Sequence, residues 1–237
     1  MSTEYLPATQ AARQELVLLH GWGSNREIWR PLLALLRPWA NVTLIDLPAC
    51  APALAVCGNC EPGDALDAVL AVAPQRAVYL GWSLGGQLAL ELAACKPERV
   101  AAVVTVCSNP RFIAAAGWPG MEEEAFSRFQ EAYAIDPAAA LRRFGSLQAQ
   151  GAKRPRLLLR QLQNLQAGPP GPELMPGLAW LARLDQRRLV QGLRQPQLHL
   201  LAEHDQLVPA GLAPLLARLC TPSASAHVEI LTDASHL

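Results

Sequence analysis

Short, continuously apolar runs alternate with segments of helical spacing through the first half of the chain, and no other feature narrows the fold as far. Leu16-Val-Leu-Leu-His20, Val42-Thr-Leu-Ile45, Ala77-Val-Tyr-Leu80 and Val100–Val106 are runs of this kind. A strand that is apolar on both sides must be covered on both sides, which is the condition of a parallel sheet flanked by helices. Between these runs, Ile28–Leu36, Asp64–Val72 and Leu84–Ala94 carry apolar residues at helical intervals. Ala65, Leu66, Val69 and Leu70, for example, fall on one helical face. The expected architecture is α/β, with a mostly parallel, doubly wound sheet.

From about Asn109 to Arg188 the alternation stops. No β-rich run occurs there, and helical segments are separated by Pro and Gly clusters such as Gly168-Pro-Pro-Gly-Pro172. The pattern then resumes with Gln197–Ala202 as a strand, Leu212–Leu219 as a helix and His227–Leu231 as a last strand. The expected organisation is a core made of 1–108 and 189–237, interrupted by a helical cap at 109–188.

Composition removes several function classes. Half of the 237 residues are apolar (51%) and 17% are charged, which excludes disorder as the dominant state. Twenty basic residues balance twenty acidic ones, so nonspecific nucleic-acid binding, which is driven by excess positive charge, is not expected. No apolar stretch approaches the ~20 residues that span a bilayer. The N-terminus lacks a basic segment followed by an apolar one. A cytoplasmic monomer is the default reading. Cys57-Gly-Asn-Cys60 has the spacing of redox and zinc sites, but no second pair or His couple completes a tetrahedral set. A surface loop in a reducing compartment suits it better, and neither metal nor cofactor is expected.

Gly81-Trp82-Ser83-Leu84-Gly85 follows a predicted strand and opens a predicted helix. This is the context in which a G-x-S-x-G turn exposes a nucleophilic serine. The helix N-terminus behind it favours developing negative charge. The alternative is an incidental Gly-rich turn. A serine nucleophile needs a base, and the base an orienting carboxylate. On such elbows the chain order is serine, acid, histidine. Asp205 follows the strand Gln197–Ala202, and His236 follows the last strand. Asp46 also ends a strand and is the rival acid, although a turn-stabilising role suits it better. His199 lies mid-strand, His204 abuts Asp205, and His227 begins a strand.

His20-Gly21-Trp22-Gly23 stands where an early loop donates a second amide to the oxyanion, the first being that of the residue after the nucleophile, here Leu84. Trp22 takes that second position, and His20 reads as a brace for the loop. Trp22 and Trp82 flank the serine with apolar surface and are expected to line the substrate pocket; the plain alternative is that both are core residues.

With these residues in view, LVLLHGWG, IDLP, YLGWSLGGQLAL, KPERVAAVVTVCSNPRF, WPGM and LLAEHDQLVP resemble the pimeloyl-[acyl-carrier protein] methyl ester esterases of biotin synthesis, a family of α/β hydrolases. The resemblance runs from about Leu16 to His236 and is weaker through the cap. It implies the α/β-hydrolase fold, a triad of Ser83, Asp205 and His236, and oxyanion donors at Trp22 and Leu84. Two departures stand out. The family's G-x-G-x-S turn after Asp46-Leu-Pro48 is replaced by Ala49-Cys-Ala-Pro-Ala-Leu, and the sequence stops at Leu237, one residue after His236, where the family continues through a terminal helix.

The cap is electrically split. Met121–Asp136 holds five acids and one Arg, whereas Pro137–Pro172 holds six basic residues and no acid. Arg156 and Arg160 are four apart, hence on one helical face. A solvated face is one reading. The other is a dock for an acidic partner, and the resemblance implies an acyl-carrier protein meeting Arg143, Arg156 and Arg160. The expected function is hydrolysis of the methyl ester of pimeloyl-carrier protein. The alternatives are another esterase, lactonase or thioesterase activity on the same triad, or a catalytically silent binding protein.

Overall fold

A computed structural model describes residues 2–47, 61–165, 170–220 and 225–237. Seven strands form one sheet: β1 (Thr3–Leu6), β2 (Gln14–Leu19), β3 (Ala40–Ile45), β4 (Ala77–Trp82), β5 (Val100–Val106), β6 (Gln197–Ala202) and β7 (Ala226–Leu231). Their spatial order is β1-β3-β2-β4-β5-β6-β7. All neighbours run parallel except β1, which pairs antiparallel with β3. The sequence pattern does not announce β1, because this edge strand is half exposed and carries no continuous apolar run.

The apolar runs are explained by two cores, one on each face. Strand β2 sends Val17 and Leu19 into one and Leu16 and Leu18 into the other, as the two-residue period of a strand requires. On the first face lie α2 (Pro62–Val72) and α3 (Leu84–Cys95), burying Leu66, Val69, Leu88 and Leu92. On the second face lie Trp29, from a 3-10 turn (Arg26–Leu32), and the short α1 (Leu33–Leu36). The sequence suggests one helix from Ile28 to Leu36, but Pro31 sits inside the segment and supplies no N–H, and the first part winds as 3-10.

Between β5 and β6 come α4 (Glu123–Ile135), α5 (Pro137–Ala149), α6 (Pro155–Asn164), α7 (Met175–Arg183) and α8 (Arg187–Gly192). The boundary expected at 188 falls inside α8, which packs on α3 and on α9 (Ala213–Leu219). No described helix is long and apolar enough to cross a membrane.

The order of the sheet positions the site. From β2 the chain crosses outward to β3 and then returns to β4 on the other side of β2. The carboxyl ends of β2 and β4 therefore flank the switch point, where doubly wound sheets bind their ligands.

His199 on β6 makes a pH-dependent contribution to stability. Its Nδ1 accepts from the Thr105 hydroxyl at 2.8 Å and its Nε2 donates to Gln197 Oε1 at 3.2 Å, so the neutral ring is fully bonded. Burial pushes its pKa from 6.5 down to about 4. Below pH 6.5 the unfolded chain takes up a proton that the folded ring refuses, so stability is lost as pH falls from 6.5 to about 4. The shift corresponds to about 3 kcal/mol. Urea unfolding between pH 7 and pH 4 is expected to show a loss steeper by about that amount in the native chain than in His199→Gln. Equal slopes would show that His199 is not the group responsible.

Candidate active site

Ser83 joins β4 to α3 with φ 54 and ψ −119, a conformation an L-residue adopts only under constraint. The constraint is local. A Cβ on Gly81 would penetrate the backbone of Gly85, and one on Gly85 would penetrate the Leu19 carbonyl, so only glycines let strand and helix approach this closely. Val106 O accepts from Ser83 N at 2.9 Å, and Ser83 O accepts from Gly86 N at 2.9 Å and from the Ser108 hydroxyl at 2.8 Å. The elbow is thus pinned on both sides while Oγ caps nothing.

Asp205 and His236 meet from the ends of neighbouring strands β6 and β7. Asp205 Oδ1 accepts from Leu207 N at 2.8 Å and Val208 N at 2.9 Å, and Oδ2 accepts from His236 Nδ1 at 2.7 Å. Both side chains are fully buried. With its proton on Nδ1, the ring carries its lone pair on Nε2, which is buried and has no hydrogen-bond partner among the described residues. The resting geometry therefore contains no Ser83–His236 hydrogen bond, which in hydrolases commonly tightens with substrate. Trp82, next to Ser83, lies against the imidazole with ring centroids 5.5 Å apart.

The loop after β2 lies on the elbow. A Cβ on Gly21 would come within 3.2 Å of Ser83 Cβ. His20 braces this loop: Nδ1 donates to Gly21 O at 2.8 Å and Nε2 accepts from Leu47 N at 2.9 Å. Burial lowers its pKa and keeps it neutral, as both bonds require. The Trp22 side chain is anchored among the helices between β5 and β6, donating from Nε1 to Leu174 O at 2.8 Å and meeting Phe129, Tyr133 and Phe144 edge-on. Leu84, as the first residue of α3, has an N–H with no acceptor inside its own helix.

The rival residues are engaged elsewhere. Asp46 accepts from Arg26 N at 2.8 Å and pairs with Arg26 Nη1 at 3.3 Å. His204 is exposed beside Glu203, and His227 sits at the start of β7. Cys57 and Cys60 lie outside the described residues. Arg143 on α5 and Arg156 and Arg160 on α6 are exposed and make no ion pair among the described residues. The neighbouring Lys153 instead pairs with Asp233 at 2.9 Å.

One close neighbour escapes sequence reasoning. Cys107, at φ 47 just after β5, brings its Sγ within 4.8 Å of ligand-capable atoms of Asp205 and His236. Burial, then the Asp205 charge and a hydrogen bond to its carboxylate, push this thiol well above its ordinary value, so it stands as a neutral S–H. Trp82, Cys107 and His236 also line a groove of about 520 Å³ with Leu158, Leu162 and Leu231; Ser83 is not on its wall.

A strained serine elbow at the switch point of a doubly wound sheet, with a buried Asp–His pair at the ends of later strands, defines an α/β hydrolase. Residues 16–237 match the alpha/beta hydrolase family, and the chain belongs to it. It is 39% identical over 234 residues to the pimeloyl-[acyl-carrier protein] methyl ester esterase of Methylococcus capsulatus, covering 97% of this chain and 90% of that protein. The protein of the same name from Pectobacterium carotovorum is 36% identical over 239 residues, covering 100% of this chain and 92% of its own length. Among solved structures, an esterase from Exiguobacterium antarcticum superposes with a TM-score of 0.83 at 20% identity, over 99% of this chain and 87% of that one, a likeness of fold.

Proposed function

We propose that the chain is a serine carboxylesterase that hydrolyses the methyl ester of pimeloyl-[acyl-carrier protein]. The observation that carries the chemistry is the buried 2.7 Å hydrogen bond between Asp205 and His236, which holds the imidazole in the tautomer a serine nucleophile needs. Ser83 Oγ attacks the ester carbonyl and His236 Nε2 takes its proton. The amides of Trp22 and Leu84 stabilise the oxyanion. Collapse expels methoxide, which receives the proton from the imidazolium and leaves as methanol. Water, deprotonated by His236, then hydrolyses the acyl-enzyme to the free pimeloyl carboxylate on its carrier.

The substrate rests on the two similar proteins that bear this activity in their names, at 36–39% identity over at least 90% of their lengths. The exposed, unpaired arginines of the cap support it. An acidic carrier protein approaching Arg143, Arg156 and Arg160 gains long-range attraction, screened beyond a Debye length of about 8–10 Å near physiological salt.

Arg156→Glu with Arg160→Glu is therefore expected to raise KM for the carrier-bound methyl ester at low salt by about tenfold, while a neutral p-nitrophenyl ester is hydrolysed almost normally. Added salt should shrink the difference. Steady-state kinetics on both substrates decide the matter. Equal losses on both would mean a damaged cap, and no loss on either would leave these arginines as a solvated face.

A further inference from the structure

His236 lies five residues beyond the end of β7, on a stretch with no secondary structure of its own. Three consecutive carbonyls of that stretch are nevertheless held. Ala234 O accepts from His204 N at 2.9 Å, Ser235 O from Cys107 Sγ at 3.8 Å, and His236 O from Trp82 Nε1 at 2.8 Å. The donors come from the ends of β6, β5 and β4, so adjacent strands each contribute one hold. Two of the three are side chains, and they act on the residues nearest the base. Trp82 and Cys107 are 4% and 2% exposed, so water does not compete for these bonds.

We propose that Trp82 and Cys107 are positioning residues of the Asp205–His236 pair, Trp82 holding the main chain of His236 and Cys107 standing with its S–H between Ser235 O and the Asp205 carboxylate, so that Nδ1 stays on Asp205 and Nε2 stays available to Ser83. This role is additional to the apolar surface that Trp82 offers the groove, because its N–H is committed to the His236 carbonyl. Losing that donor leaves a buried acceptor unsatisfied, and the segment relaxes to find another partner. A displacement of about 1 Å in a catalytic group costs on the order of 10²-fold in rate. The inference rests on the triad reading above, and the two fail differently. A wrong triad leaves Ser83→Ala active, whereas a wrong clamp leaves Trp82→Phe with a normal kcat.

The test uses Trp82→Phe, Cys107→Ala and Cys107→Ser in the full chain. Cys, Ala and Ser bear the same penalty at the positive φ of position 107, so differences among them report the donor and not the backbone. Two quantities are read: kcat and KM on a small p-nitrophenyl ester, and the low-field proton resonance of the Nδ1–H shared by Asp205 and His236. Trp82→Phe is expected to lower kcat about 10- to 100-fold with KM within about twofold, and to broaden or abolish the resonance. Cys107→Ala is expected to lower kcat about threefold, with most of the loss restored in Cys107→Ser, which keeps a donor. A raised KM at unchanged kcat in Trp82→Phe would make Trp82 a substrate contact and overturn the assignment, as would an unchanged resonance with normal kcat. Should Trp82→Phe not fold, the Cys107 pair decides: equal kcat in Cys107→Ala, Cys107→Ser and the native chain overturns the proposal.

Discussion

Ser83→Ala is expected to lower kcat by about 10³-fold or more while leaving the unfolding midpoint close to that of the native chain. The loss is large because the acyl-enzyme needs the oxygen itself. Only water, the oxyanion amides and substrate positioning remain without it. Stability is spared because Ser83 Oγ makes no helix-capping bond, and alanine bears the φ of 54 no worse than serine does. A fluorophosphonate should label Ser83 alone. Ser108 is a competing hydroxyl beside the elbow, but it donates to Ser83 O at 2.8 Å and serves the elbow as a brace. Label on Ser108, or turnover retained in Ser83→Ala, would remove Ser83 from the nucleophile's role.

Asp205→Asn should fold and yet lose about 10⁴-fold in kcat. Oδ1 can keep accepting from Leu207 and Val208, so the loop has what it needs. The new amide nitrogen then stands where Oδ2 met His236 Nδ1 at 2.7 Å, and as a donor it forces the proton onto Nε2. An imidazole in that tautomer cannot take the proton of Ser83. Asp46→Asn makes the informative control, since Asp46 binds Arg26 and its loss should weaken a loop and not the chemistry. Parallel measurement of kcat in the two variants tests the pairing, and a larger loss in Asp46→Asn would break it.

The elbow is legible in the chain because every part of it is local. Gly81, Ser83 and Gly85 are within five positions of one another, and the backbone approach that demands glycine involves the strand and helix they join. The parallel core strands are legible for a similar reason, since burial on both faces writes a predominantly apolar run into each of β2 to β5. Where residues serve only one face or an edge, as in Thr3–Leu6, the pattern fades and β1 is missed.

Local pattern alone could nominate Ser83, offer Asp46 and Asp205 as acids at strand ends, and offer His236 as a base. Which acid meets His236 was decided by the order of strands. β6 and β7 are neighbours, whereas β3 stands five steps from β7, about 24 Å at the usual strand spacing. No residue type at position 46 or 205 encodes that separation. It arises when hydrogen bonding assembles the whole sheet. The hold on His236 is of the same kind: Trp82 is 154 residues away and Cys107 is 128 residues from Ser235. Side-chain chemistry along the chain set what the groups can do, and the packing of distant strand ends set which of them act on one another.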